Sequence, residues 1–437
     1  MQERPGGPLA GVRVADFSRV LAGPYATMTL ADFGADVVKV ESPAGDDTRH
    51  WIPPVDAAGG STYFGGVNRN KRSVVLDLAD AAGLDEARRL AASADVVVEN
   101  FRPGVMERFG LDYEHVRAAN PAVVYCSITG FGTGDGAALA GYDLLVQAVG
   151  GLMSITGEPD GEPSKVGVAL VDVLTGQNAV AGILLALRER DRSGAGQCVE
   201  VNLLQSLLAA LTNQASSTLA TGLPPRRMGN QHPSIAPYAV FRAADRELVI
   251  AVGNDKQFRA LATVLGRPAL ADDVRFSTNA DRVAHRDELR AALERGLAAA
   301  SAGHWVDRLT RAGVPAGLVN DVAEAIAFAE GLGLEPVAEI DAAGGAGAGG
   351  LETLAALAPR PAQGADGAGA GLETLAALAP RPAQGVDARP AQGADARPAP
   401  VHRSVANPIR LSASRPAYRT PPPALGEHDG ADWLPRA

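Results

Sequence analysis

The sequence predicts a doubly wound α/β fold over residues 1–220, followed by a smaller α+β domain over residues 221–329. Two observations carry the first part. Short apolar runs rich in Val and Ala recur between helix-like stretches, and that alternation builds a sheet covered on both faces. Glycines, prolines and cations gather in the loops that follow those runs. A third observation carries the second part: Gly222-Leu-Pro-Pro-Arg-Arg-Met-Gly-Asn230 breaks the composition, and hairpin-like strands come after it.

Gly11 to Asp16 reads as a strand, Phe17 to Pro24 as a loop whose proline suits a helix start, and Tyr25 to Phe33 as the helix. Gly34 closes that helix, and Asp36 to Glu41 is the next strand. The loop lacks the Gly-x-Gly-x-x-Gly dinucleotide fingerprint. A helix N-terminus at this place still attracts phosphate through its unpaired N–H groups. The alternation continues with strands Ser73 to Leu78, Ala94 to Asn100 and Ala122 to Ile128, and with helical stretches Ala82 to Ser93 and Val105 to Phe109. Thr129-Gly-Phe-Gly-Thr-Gly134 is a glycine-rich loop at a strand end. Gln197 to Val201 is a strand and Leu203 to Leu219 a helix. Beyond the break, strands fall at Tyr238 to Arg242, Leu248 to Val252 and Val314 to Val319. Helices fall at Arg286 to Leu297 and His304 to Ala312, with Asp255 as the cap of one more.

Residues 342–400 are nearly all Ala, Gly, Pro, Gln, Arg and Asp, with no aromatic residue. The stretch Gly350 to Gly364 recurs unchanged at Gly371 to Gly385, which marks a duplicated, low-complexity insert that lacks the apolar mass to fold.

At 437 residues the chain is too long for a single core. A net charge of −10 with no long basic run gives no sign of nucleic acid as a partner, though a local cluster of positive charge could still hold an anionic ligand. The longest apolar run, Ala179 to Leu187, is short for a membrane span, and the N-terminus carries no apolar signal region. Two cysteines, Cys126 and Cys198, lie in apolar strand-like runs and read as buried, inert thiols of a reducing cytoplasm. Arg19, Lys39, Arg49, Arg69, Lys71, Arg72, Arg102 and Arg108 fall at or near the strand-end loops. Most read as solvated surface charge, yet several cations at strand ends fit an anionic ligand such as a nucleotide.

One carboxylate stands out. Val166 to Val171 reads as a buried strand, with Asp172 where it meets a helix beginning near Leu174. An Asp at such a junction is ordinarily an N-cap. Strand ends in open α/β sheets are also where ligands bind, so Asp172 is a candidate for chemistry.

Several stretches together resemble the family III CoA-transferases of the CaiB/BaiF type, which include formyl-CoA transferase. They are Asp16-Phe-Ser-Arg-Val-Leu-Ala-Gly-Pro24, Leu30 to Glu41, Asn68-Arg-Asn-Lys-Arg-Ser73, Glu99-Asn-Phe-Arg-Pro-Gly104 and Gly141-Tyr-Asp143. Val168 to Gly176, Gly229-Asn-Gln-His-Pro233 and Pro421-Pro-Pro-Ala-Leu-Gly-Glu-His428 complete the set. The resemblance implies a Rossmann-like large domain, a small domain, and two chains interlocked as a homodimer. Residues 330–341 and 401–437 would then return to the large domain. The resemblance places Asp172 on the family's nucleophile, which carries acyl groups as an anhydride and then CoA as a thioester. A helix N-terminus beside Asp172 would favour its ionised form.

The implied substrates are coenzyme A thioesters and a carboxylic acid, with no permanently bound cofactor, no metal and no membrane partner. The CoA contacts fall on Arg19, Val20, Leu21, Leu76, Asp77, Asn100, Phe101, Arg108, Ala140 and Tyr142. Ser42 and Ala140 stand where formyl-CoA transferase has an arginine and a lysine. Gly229, Asn230, Gln231 and His232 correspond to a mobile loop over the aspartate, here with one glycine, so the acceptor pocket differs from a formate/oxalate site. The same family contains α-methylacyl-CoA racemases, whose base is a histidine in Gly-His-Asp. Tyr142 holds that place here, and a phenol that ionises near pH ~10 is a poor base. A non-catalytic acyl-CoA-binding relative is the third possibility, against which the retained Asp172 speaks.

Overall fold

The computed structural model describes residues 6–341 and 401–436. The repeated insert therefore lies outside the described residues. Six strands form one parallel sheet: β1 (Arg13–Asp16), β2 (Asp36–Glu41), β3 (Lys71–Val75), β4 (Val96–Glu99), β5 (Val124–Thr129) and β6 (Cys198–Asn202). Their order is β3-β2-β1-β4-β5-β6, and every neighbouring pair runs parallel. Successive residues feed opposite faces. Val14, Val96 and Val98 join one core with the helices Ala22–Asp32 and Leu170–Ser193. Ala15 and Val97 join another with the helix Ala81–Ser93. Burial on both faces is why these strands read as continuous apolar runs. The chain winds outward from β1 to β3 and then returns to β4, so a crevice opens where β1 and β4 end.

A separate antiparallel sheet contains β7 (Tyr238–Arg242), β8 (Glu247–Ala251) and β9 (Ala316–Leu318). It has its own core, built on Phe241, Phe258, Phe276 and Trp305. β10 (Val337–Asp341) then pairs antiparallel with β11 (Val401–Val405), so that Asp341 faces Val401.

Four expectations need correction. Val166 to Ala169 is not a strand, and Val168 is 61% exposed. The helix starts at Leu170, so Asp172 sits in its first turn. A short apolar run is compatible with a strand or a helix start, and periodicity cannot separate the two. Leu203 to Leu219 divides into the helices Leu203–Ala210 and Thr212–Thr221, and Thr212 has a positive φ at the break. Asn254, not Asp255, caps the helix Asp255–Val264: its extended backbone aims the side chain at the Gln257 N–H, while Asp255 pairs with Arg282. Cys126 is buried, but Cys198, on the outermost strand, is only partly so.

The helix Leu170–Ser193 is 24 residues long, with mean hydropathy 1.6 over its most apolar window, so by length and composition it could cross a membrane. Here it packs as a core helix of the parallel sheet, burying Ala179, Ile183 and Leu187.

Residues 401–436 lie along the β3 side of the sheet. Arg69 anchors them: it donates to Asp32 through two nitrogens (2.6 and 3.0 Å), to the Ser404 hydroxyl (2.7 Å) and to the Val405 carbonyl (3.0 Å). Asp32 also accepts from Asn70 and Asn407. Both members of the ion pair are almost wholly buried. Arg69→Met would leave the Asp32 carboxylate buried without its cation, so stability should fall by roughly 3–5 kcal/mol. A urea unfolding curve that overlays the wild type would refute this.

Candidate active site

The crevice at the ends of β1 and β4 is spanned by hydrogen bonds. The Arg19 backbone N–H donates to the Asn100 side-chain oxygen at 2.8 Å, and the Asn100 amide returns a bond to the Arg19 carbonyl at 2.7 Å. A cavity of about 530 Å³ opens beside this pair. Its floor holds the starts of three helices: Ala22, Asp172 in the first turn of its helix, and Leu203. The dipoles of these helix starts make the floor favourable to anions, although the first N–H groups of the Asp172 helix are already taken by Asp143 and neighbouring carbonyls.

Two close approaches require glycine. A Cβ on Gly130 would lie 2.4 Å from the Gly141 Cα, so only glycines let the loop after β5 cross the Gly-Tyr-Asp segment. A Cβ on Gly176 would lie 2.7 Å from the Ala22 carbonyl oxygen, so this glycine lets the Asp172 helix press against the first helix. Both contacts fix where Asp172 stands.

Asp143 sets its surroundings. One carboxylate oxygen of Asp143 accepts the backbone N–H groups of Val171 (2.8 Å) and Asp172 (3.2 Å), capping the Asp172 helix from 29 residues away. The other accepts from Gln147 at 2.6 Å, and Gln147 in turn accepts from the Val166 N–H at 2.9 Å. Burial, and secondly the Asp143 charge, push the Asp172 carboxyl up to about 7. The helix N-terminus was expected to favour the ionised form, but desolvation and the like charge outweigh it. Tyr63 feels the same two carboxylates and, mainly through burial, is pushed up to about 12.

Beneath the first loop lies a buried charge network. Lys71 donates to Asp16 (3.1 Å), and Lys39 donates to Asp46 (2.9 Å) and to the Ser18 carbonyl (2.8 Å). Asp16 also accepts from Ser18 and Thr27. These bonds hold Val20 at φ +68°, a left-handed conformation that a β-branched residue rarely adopts. Its N–H points at Asp46.

Of the residues singled out in the sequence, Arg19, Val20, Leu21, Asn100, Phe101, Ala140, Tyr142 and Asp172 line this one cavity. Leu76 and Asp77 line an adjoining hollow of about 260 Å³ with Ser42, and Arg19 and Phe101 border both. The Arg19 guanidinium lies over the Phe101 ring at 5.1 Å. Arg108 lies apart, in a surface hollow with Arg88 and His115. The loop Gly229 to His232 is also outside the Asp172 cavity within this chain. The Gly229 N–H donates to the Gly157 carbonyl, and Arg286 donates to the Gln231 side chain and the His232 carbonyl. The Asn230 side chain has no bond to the cavity residues among those described.

Sequence reasoning missed Asp47, His50 and Trp51, which form one cavity wall, and Tyr63, which packs edge-on against Trp51. It also missed Glu99, which burial pushes up to about 7 and which accepts the Phe101 N–H at 2.8 Å. The signal for Glu99 was present: a carboxylate ending a run of valines is as anomalous as Asp172.

A doubly wound sheet with an anion-favouring crevice at its switch point, and a part-buried carboxylate with a raised pKa in that crevice, is the arrangement of an enzyme active site. The chain belongs to CoA-transferase family III, whose profile matches residues 9–368. It is similar to a succinate–glutarate CoA-transferase of Agrobacterium fabrum, 49% identical over 73% of this chain and 82% of that one. An acetyl-CoA:oxalate CoA-transferase of Acetobacter aceti is 46% identical over 74% and 83% of the two chains. Among solved structures, a CaiB/BaiF family protein from Brucella suis is 40% identical and superposes with a TM-score of 0.77, covering 98% of each chain.

Proposed function

We propose that this enzyme moves CoA from an acyl-CoA to a carboxylic acid, with Asp172 as the nucleophile. The Asp172 carboxylate attacks the thioester carbonyl and expels CoA thiolate, leaving an acyl-aspartyl anhydride. The thiolate attacks the aspartyl carbonyl and releases the donor acid, giving an aspartyl-CoA thioester. The acceptor carboxylate attacks that thioester, forming a second anhydride and freeing the thiolate again. The thiolate then takes the acceptor's acyl group and restores Asp172. Each step exchanges one acyl bond for another, so no external energy is needed. The positive ends of the helix dipoles at Ala22 and Leu203 would favour the thiolate, the free carboxylates and the tetrahedral oxyanions.

The observation that carries this proposal is the part-buried Asp172 carboxylate, raised by burial and by Asp143, in the wall of a cavity lined by the loops after β1, β4 and β5. The acids exchanged are proposed to be dicarboxylates. A succinyl-CoA:glutarate CoA-transferase of mouse, 43% identical over 74% of this chain, adds a second relative named for them. A racemase is disfavoured because Tyr142 occupies the place of its histidine base. Incubation with succinyl-CoA and a panel of acids, followed by hydroxylamine trapping of the acyl-enzyme, tests the proposal. Exchange without any trappable Asp172 adduct would overturn the covalent route. Loss of α-proton chirality would favour the racemase.

The working form is proposed to be an interlocked homodimer. Leu184, Leu185, Leu208, Leu219 and Leu223 are all exposed in the single chain, Leu219 at 88%. Large exposed apolar side chains in that number are what a second copy would cover. In such a dimer residues 1–220 and the returning 330–341 and 401–437 form the large domain, and residues 221–329 the small one. The mass by light scattering checks it.

A further inference from the structure

The segment Pro421-Pro-Pro-Ala-Leu-Gly-Glu-His428 has no part in the chemistry above, yet it is tied to the cleft wall by consecutive bonds. Its last residues bond to the outer edge of β3. The His428 N–H donates to the Ser73 carbonyl at 2.9 Å, and the Ser73 N–H donates to His428 Nδ1 at 3.3 Å. The Gly426 N–H donates to the Ser73 hydroxyl at 3.1 Å, and that hydroxyl donates to Glu41 at 2.7 Å.

Glu41 is the hub, its side chain 1% exposed. Arg49 meets it with two parallel bonds of 2.7 and 2.8 Å, and the Asp46 N–H donates to it at 3.0 Å. The third Arg49 nitrogen donates to the Pro423 carbonyl at 3.1 Å. The Arg49 guanidinium also lies over the Phe64 ring at 3.7 Å, and Leu425 approaches the Gly45 backbone. Asp46, held by Glu41, is the residue that receives the strained Val20 N–H and pairs with Lys39. Thus the tail is linked through Arg49 and Glu41 to both strips of the cleft wall, Arg19 to Leu21 and Asp47 to Trp51.

We infer that Pro423 to His428 is a positioning clamp for the acyl-CoA cleft, acting through Arg49 and Glu41 on the loop that carries Val20. The tail, Arg49 and Glu41 do not line the Asp172 cavity, so the clamp governs CoA affinity and not the chemical step. The strain at Val20 is why a clamp is needed: released, the loop relaxes to a right-handed or extended backbone and the Arg19–Asn100 bridge moves with it. This inference rests on the proposal that the cleft binds CoA.

The test uses the full-length protein with Arg49→Met, Arg49→Lys and Gly426→Val. Gly426 has φ +68°, and a Cβ there would lie 3.2 Å from a Val75 methyl group, so valine dislodges the tail without touching the cleft. Arg49→Met and Gly426→Val should each weaken binding of free CoA, measured by calorimetry, by roughly tenfold or more. They should raise KM for acyl-CoA alike, with kcat at saturation within about twofold of wild type. Arg49→Lys, which keeps the charge opposite Glu41, should recover part of the affinity. Folded variants with lowered melting temperature but unchanged CoA affinity would make the tail merely structural and overturn the clamp. If Gly426→Val fails to fold, the Arg49 pair decides the question. A wild-type protein that does not bind CoA would instead overturn the proposed function itself, and the clamp with it.

Discussion

An Asp172→Asn enzyme should lose turnover by a factor on the order of 10⁴ or more while remaining folded and able to bind CoA. Asparagine fills the same volume in the first turn of the helix and leaves the Val171 and Asp172 N–H bonds to Asp143 in place, because those are backbone donors. What it removes is the attacking oxygen anion, without which no anhydride forms. A variant with more than a few per cent of wild-type exchange would show that another group accepts the acyl chain.

The same substitution should stabilise the protein, and the sign follows from the raised carboxyl. Asp172 sits at about 7 in the fold against an ordinary 3.8. Its neutral form is therefore preferred on folding, and that preference is fully present below pH ~4 and lost as pH rises through ~7. Asparagine stays neutral throughout, so its advantage over wild type should grow across that window and level off above it. Three pH units correspond to about 4 kcal/mol, and solvent in the open cleft reduces this to roughly 2–4 kcal/mol. Unfolding midpoints at pH 5 and pH 8 measure it. A difference that shrinks with rising pH would contradict the raised carboxyl.

Asp143→Asn is the second large effect. In the wild type, kcat/KM should rise with pH through about 7 as Asp172 becomes the nucleophilic anion. Asparagine at 143 still offers one oxygen to the two helix N–H groups but turns a donor toward the Gln147 amide, which already donates. One buried hydrogen bond is lost, costing about 1–3 kcal/mol of stability. More tellingly, the like charge beside Asp172 is gone, so the acid limb should move down by up to about one pH unit. It should stop short of an ordinary carboxylate, because burial is the larger cause of the shift. An unmoved limb would mean that burial alone sets it. An upward movement would mean that Asp143 acts mainly through its hydrogen bonds.

Much of the sheet was legible because strands buried on both faces leave apolar runs, as at Val96–Glu99 and Val124–Thr129, whereas β3 starts on Lys71 and Arg72, ahead of the predicted run at Ser73, and the edge strand β6 carries an exposed Glu200. The helix beginning at Leu170 was not, because its Val-Ala-Leu lead-in fits an extended or a helical backbone equally and the six sheet positions were already filled. Asp172 could be singled out as a polar residue in an apolar setting. Its raised carboxyl could not, since that depends on Asp143 arriving from another helix, and a fold-free estimate from the helix dipole had the opposite sign. The cations at Lys39 and Lys71 looked like ligands for phosphate, yet they are spent on Asp46 and Asp16 inside the protein. Of the singled-out cations, Arg19 and Arg102 border the cavity. The loop at Gly229 to His232 is conspicuous in sequence but within one chain is engaged with Arg286 and Gly157.

The pairing of Asp341 with Val401 has a consequence for how this gene can change. The two ends of the intervening residues leave and re-enter the fold at neighbouring rungs of one two-stranded ladder. Their separation is fixed by that ladder and by Arg69, whose bonds grip Ser404 and Val405 from the far side. Copies of a repeat can therefore be added or lost between them without displacing either strand, the tail, or the cleft. The ladder is a tolerant splice point, and the unchanged second copy at Gly371 to Gly385 is what such tolerance permits.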